Sequence, residues 1–152
     1  MEDESQLLKT IVAGGRDFND YDVMCHVLDD IFDGQEEKNV RIISGGARGA
    51  DKLGERYAYE KGFGIKVFPA DWDKHGKAAG PIRNKQMAEE AFSLIVFWDG
   101  ESRGSANMIE NGKKYCEVVH VFDYEGRSKL LWLSDRAKAS MGIVNIPDNQ
   151  FE

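Results

Sequence analysis

The chain has 152 residues, 41% of them hydrophobic and 31% charged, with a formal net charge of −7. That is the length of one domain with enough apolar content for its own core. No apolar run approaches the roughly 20 residues of a membrane span, and the acidic excess argues against a surface built to coat nucleic acid, while leaving room for a small local positive site.

Residues 9–15, KTIVAGG, read as a first strand, and residues 21–33 follow with Val23, Val27, Leu28 and Ile31 at helical spacing. Residues 39–46, NVRIISGG, read as a second strand. Residues 49–62 read as a helix closed by Gly62, since a glycine commonly ends a helix. A third strand is predicted over 64–70, then a polar loop over 71–80. A helix over 81–91 carries Pro81 in its first turn, where a missing N–H costs nothing. The apolar run at 93–100, SLIVFWDG, reads as a central strand. A helix over 104–116 and a fifth strand over 117–124 complete the pattern. Strands alternating with helices predict a doubly wound α/β fold, a mainly parallel sheet with helices on both faces. We read one domain over 1–152, with a core at 9–124 and a C-terminal extension at 125–152. In the extension, 128–134 and 142–146 read as short strands at a sheet edge or in a dimer contact.

Cys25 and Cys116 form no CxxC pair and read as core residues of a reducing compartment. His26, His75 and His120 are scattered, so neither a metal site nor a cofactor is expected. The acidic start, MEDES, has no signal-peptide character, which predicts a cytoplasmic location.

In open parallel sheets ligands bind beyond the carboxyl ends of the strands. Here the first strand ends in AGGRDF, the second in SGGARGAD, the third in PADWDKHGKAAGPIRN and the fourth in FWDGESRGSAN. All four ends fall on one edge. That edge collects Gly14, Gly15, Ser44, Gly45, Gly46, Gly49, Gly76, Gly80, Gly100 and Gly104, together with Arg16, Arg48, Lys77, Arg83 and Arg103. Glycines permit close backbone approach, helix-start N–H groups favour an anion, and arginines supply forked donors suited to phosphate. A nucleotide or sugar phosphate is the expected ligand. Asp17, Asp51, Asp71 and Asp99 are candidates for accepting from ribose hydroxyls. Neither GxGxxG nor GxxxxGK[ST] is present, so no dinucleotide fingerprint or P-loop supports the reading.

AGGRDFNDYDVM, SGGARGADKLGERYA, FPADWDKHGKAAGPIRNKQM and VFWDGESRGSANMIE together resemble the SLOG superfamily of Rossmann-like proteins, and within it the small YspA/YpsA-related branch. The resemblance covers residues 9 to about 123 and leaves the extension outside. It implies a nucleotide- or sugar-phosphate-binding edge, and the superfamily includes LOG phosphoribohydrolases and DprA-like single-stranded DNA binders. Arg83, in PIRNKQM, is similar to the LOG arginine, and Gly104-Ser105 stands where LOG enzymes carry Gly-Thr; Ser102 and Asn84 are further ligand-binding candidates. At the LOG glutamate position this chain has Met108, with Glu110 two residues later. Two residues turn a helix by about 200°, away from the same face.

Two functions follow as expectations. As a phosphoribohydrolase, the chain would use Asp99, Asp51 or Glu110 near the anomeric carbon, with Arg83 and Arg103 on the phosphate. As a non-catalytic module, it would bind or sequester a nucleotide-derived signal with the same glycines and arginines. A DprA-like DNA-binding role is opposed by the net charge. LOG-like relatives suggest a homodimer. Simpler readings stand beside the functional ones. Asp51 supports a helix start, Asp71 shapes a turn, His75 bonds within its loop or acts as an acid, and Glu110 is a solvated helix residue. Trp72 stacks on a base, Trp98 does so or fills the core, and Trp132 is a core or interface residue.

Overall fold

A computed structural model describes residues 7–143. Strand β1 (Leu8–Gly14) leads through α1 (Tyr21–Ile31) to β2 (Val40–Ser44), and α2 (Ala50–Lys61) leads to β3 (Gly64–Val67). A short helix α3 (Trp72–His75) and a 3-10 turn precede α4 (Ala79–Glu90). Then come β4 (Ser93–Phe97), α5 (Arg103–Tyr115), β5 (Val118–Phe122), β6 (Ser128–Leu133) and α6 (Asp135–Ser140). The six strands form one sheet in the order β3-β2-β1-β4-β5-β6. Every pairing is parallel except β5 with β6. This is the doubly wound α/β architecture the alternation predicts.

The chain reverses direction across the sheet between β1 and β4. From β1 it steps outward through β2 to β3, then returns to the far side of β1 and steps outward again. The alternating side chains of β1 therefore feed two cores. Val12 joins Ile42, Ile95, Phe97 and the α1 residues Met24 and Leu28 on one face. Ile11 and Ala13 join Ile43, Leu94, Val96 and the α4 and α5 residues Met87, Met108 and Ile109 on the other. Because β1 and β4 are buried on both faces, they read as continuous apolar runs.

Boundaries differ where local chemistry decides them. Strand β3 stops at Val67, and one further bond, Phe68 N–H to Ser44 O at 2.8 Å, closes the pairing before Pro69, which has no N–H to give. The loop predicted over 71–80 contains α3, whose start is capped by Asp71. Helix α4 begins at Ala79, so Pro81 is its third residue, still among the orphan N–H positions of the first turn. The first extension segment is β6, an antiparallel edge strand, with Trp132 packed on the α4–α5 core. Of the second, residues 144–146 lie outside the described residues. Trp98 packs on the same core and donates Nε1–H to Ser102 O at 3.0 Å, a structural role. No helix among the described residues is long and apolar enough to cross a membrane.

Candidate functional site

The reversal between β1 and β4 opens a cleft of about 630 Å3 at the carboxyl ends of the strands, where a doubly wound sheet binds its ligands. The β1 end contributes Gly14, Gly15, Arg16 and Asp17, and the β2–α2 turn contributes Ala47, Arg48 and Asp51. Helix α4 presents Arg83, Asn84 and Met87, with Gly80 and Pro81 at its start. The β4–α5 turn and α5 supply Asp99, Ser102, Arg103, Gly104, Ser105, Asn107 and Met108, and the half-exposed Trp72 forms part of the rim.

The glycine-rich β2–α2 turn is packed against the protein itself. A Cβ on Gly45 would lie 2.5 Å from Arg83 Nη1 and 2.8 Å from Asp51 Oδ2. The arginine lies over the turn, donating Nη1–H to Gly45 O at 2.5 Å and Nε–H to Asn84 Oδ1 at 3.0 Å. Gly49, at φ 80°, meets the backbone of Gly15 and Arg16, and Ala50 N–H donates to Gly15 O at 3.1 Å. The start of α2 is thus capped by a carbonyl of the first strand's turn. Gly15 in turn lies beneath the Tyr124 hydroxyl, which donates to Asp17 Oδ1 at 2.5 Å. Burial and that bond push the Tyr124 pKa above its ordinary value.

Below the turn, Ser44 donates to Glu55 Oε2 at 2.6 Å and accepts from Gly46 N–H at 3.0 Å. Asp51 is 5% exposed and accepts from Ala47 N–H at 3.2 Å. Burial pushes its carboxyl pKa up to about 6, against the lowering effects of the Ala47 N–H and of the Arg83 and Arg16 charges.

The β4–α5 turn is built differently. Asp99 Oδ1 accepts from Glu101 N–H at 2.9 Å and Ser102 N–H at 2.8 Å, which holds its carboxyl below the usual range. Ser102 then caps α5, its Oγ accepting from Ser105 N–H at 3.4 Å. The N–H groups of Arg103 and Gly104 meet no acceptor among the described residues. Ser105, 5% exposed and on the cleft wall, has a buried Oγ with no partner. Arg103 is exposed and also without a hydrogen bond or ion pair among those residues. Two free N–H groups, an unsatisfied hydroxyl and a free guanidinium surround one helix start, an arrangement suited to an anion.

Between α4 and α5 runs a ladder of amides. Asn107 Oδ1 accepts from Asn84 Nδ2–H at 3.0 Å and from Asn111 Nδ2–H at 3.2 Å. With both lone pairs of that oxygen engaged, the Asn107 amide is fixed in orientation, and its Nδ2–H donors face no protein partner among the described residues.

The structure does not bring every predicted residue to the cleft. Gly45 and Gly46 line the adjoining cleft described below, Ser44 lies beneath the turn, and Gly49 is covered by Gly15 and Arg16. Glu110 is exposed on α5 and lines neither cleft, as the helical rotation predicts. Asp71 spends an oxygen on Lys74 N–H at 3.1 Å, and His75, Lys77 and Gly100 likewise line neither cleft. Asn107, Met87, Met108 and Tyr124 belong to the site region and were not among the predicted residues. The Met108 at the LOG glutamate position was the one signal pointing to them. Among the described residues no cluster of three or more His, Cys, Asp or Glu side chains is placed to hold a metal.

The model of the YspA, cpYpsA-related SLOG family matches residues 8–75, from β1 through α3. The chain is also similar to the Gene 61 protein of Mycobacterium phage D29, at 29% identity over 112 residues, which is 70% of this chain and 89% of that protein. No solved structure matches. The matched stretch holds the glycine turns of the first two strands, and the mostly parallel, doubly wound sheet accords with that likeness to the YspA-related branch of the SLOG superfamily.

Proposed function

We propose that the chain binds a nucleotide or sugar phosphate in the cleft between β1 and β4, with the phosphate on the start of α5. One observation carries this reading: the unpartnered Ser105 hydroxyl, buried beside two free N–H groups at that helix start. The match of residues 8–75 to the YspA-related SLOG family points in the same direction, toward nucleotide-related binding or processing. Binding without hydrolysis is the form the cleft favours. One turn beyond the phosphate, the residues of α5 on the cleft wall are Asn107 and Met108, and neither is a carboxylate. Of the three carboxylates on the wall, Asp17 is engaged by Tyr124, Asp51 by Ala47 and Asp99 by its own turn.

The test is a thermal-shift and calorimetric panel of nucleoside mono- and triphosphates, ribose 5-phosphate and a short single-stranded DNA. A ligand at a hundred times its Kd stabilises the fold by about 2.7 kcal/mol. Ser105→Ala is expected to leave the unliganded fold intact and to weaken binding about tenfold, the effect of losing roughly 1.4 kcal/mol. No response to any phosphate compound refutes the reading, and a salt-sensitive response to DNA alone replaces it with strand binding.

Hydrolysis of a nucleoside monophosphate at its N-glycosidic bond is favoured by a single observation, the Asp51 carboxyl. It lines the cleft and titrates near 6, close to where a general acid is effective. Release of free base by the wild-type chain, abolished in Asp51→Asn with ligand affinity retained, supports that reaction. Absence of base release from any bound nucleotide removes it.

A further inference from the structure

A second cleft, about 550 Å3, adjoins the first across Arg16, Ala47, Arg48, Trp72 and Arg83, which line both. Its remaining wall is Gly45, Gly46, Lys52, Val67, Pro69 and Ala70. The charge on the two walls differs. The first cleft sets four arginines against the carboxylates Asp17, Asp51 and Asp99. The second is lined by three arginines and a lysine, with no carboxylate. In a chain of net charge −7, this is a local reversal of sign with walls shaped to focus it.

These cations are available. Arg16 and Arg48 are exposed and make no hydrogen bond or ion pair among the described residues. Lys52 pairs only with Glu55, at 3.6 Å and more than half exposed, and such surface pairs are weak. Arg83 is held by Gly45 O and Asn84, and adds fixed positive charge at the junction. The apolar part of the second wall is Val67 and Pro69, with Val67 42% exposed, and Trp72 offers a half-exposed ring at the junction. Exposed aromatic and apolar surface beside unpaired cations fits a ring system carrying phosphate.

Resting on the proposed phosphate site at α5, we infer that the ligand has two nucleoside halves joined through phosphates. One phosphate sits on the α5 start, and its nucleoside lies against Asn107, Met87 and Met108. The second phosphate lies between Arg16 and Arg48, at the junction of the clefts. The second nucleoside enters the wall of Lys52, Val67 and Pro69, beside Trp72. A mononucleotide fills only the first half of this surface.

The test is calorimetric titration of the full chain with the four ribonucleoside monophosphates and with their symmetric pyrophosphate-linked dinucleotides. For at least one base, the dinucleotide is expected to bind at least tenfold more tightly than the matching monophosphate. Lys52→Glu, on an exposed helix position, and Val67→Asp, on the second wall, are each expected to weaken the dinucleotide several-fold more than the monophosphate. Equal Kd values for the two ligand classes, or equal weakening of both by these variants, overturn the second subsite and leave the phosphate site at α5 standing. Failure of every monophosphate and dinucleotide to bind overturns both. A short oligodeoxynucleotide that binds more tightly than every dinucleotide overturns the inference in favour of a single strand running through the joined clefts.

Discussion

Of the helix starts at the cleft, the chain treats those of α2 and α5 in opposite ways. At α2 the first free N–H donates to Gly15 O, Gly49 is pressed against the turn after β1, and the arginine of α4 covers Gly45. At α5 nothing within 4 Å would meet a Cβ on Gly104, two N–H groups are unclaimed and the Ser105 hydroxyl has no partner. The first turn lies within the family match over residues 8–75, and the second lies beyond it. Glycines at a strand end therefore have two meanings. They make room for the protein's own polar groups, which then fix the edge, or they leave room for something else. The β2–α2 turn organises the edge, while the β4–α5 turn leaves its donors unclaimed among the described residues.

The sharpest way to break this comparison is to add one methyl group at each turn. Gly49→Ala places a Cβ into the Gly15–Arg16 backbone at a positive φ, and neither neighbour is a flexible side-chain end. A loss of about 3 kcal/mol or more is expected in denaturant melts. A change below about 1 kcal/mol would show that the α2 turn is not closed as described.

The buried carboxyl of the closed turn gives an effect of similar size through pH. The Asp51 pKa rises from 3.8 to about 6 on folding. The folded chain thus binds this proton more tightly than the unfolded chain, so this term stabilises the fold as pH falls from about 6 toward 4 and disfavours it above, by roughly 3 kcal/mol in all. Asp29, Asp99 and Asp123 have lowered values. Their stabilising terms fade only as pH falls further, through their folded pKa values, so the two effects separate. Melting temperature is expected to rise as pH falls from 7 to 4.5, and Asp51→Asn is expected to flatten that rise.

Asn107→Asp probes the open side. An aspartate oxygen still accepts from Asn84 and Asn111, so the ladder survives, while a negative charge replaces the free amide donors in the cleft. Stability is expected to change by less than about 1 kcal/mol and nucleotide affinity to fall tenfold or more, read by calorimetry. The smallest effect belongs to Gly104→Ala. With open space around it, the added methyl is expected to stabilise the unliganded helix by up to about 1 kcal/mol, and a phosphate seated there is expected to bind more weakly.

Much of the edge was legible in the sequence, because a parallel sheet delivers every strand's carboxyl end to the same side and the motifs name those ends. Arg16, Arg83, Asp99, Ser102 and Arg103 were found that way. The reason for the glycines was not legible. Their neighbours are Arg83, 38 residues from Gly45, and Tyr124, whose bond to Asp17 spans 107 residues. Local pattern carries no record of such partners. The helical period did place Glu110 away from the cleft, since rotation along one helix is a local property.

By itself, the sequence determined the alternation of strands and helices, the parallel sheet and the edge at which the glycine-rich turns gather, because apolar periodicity and strand-end punctuation act within a few residues. Tertiary structure decided which helix start is closed and which is open. That choice depends on whether a carbonyl from a distant segment reaches the free N–H groups and a guanidinium reaches the turn's own carbonyl, and only the packing of β1, α4 and the β5 end against the two turns sets those distances.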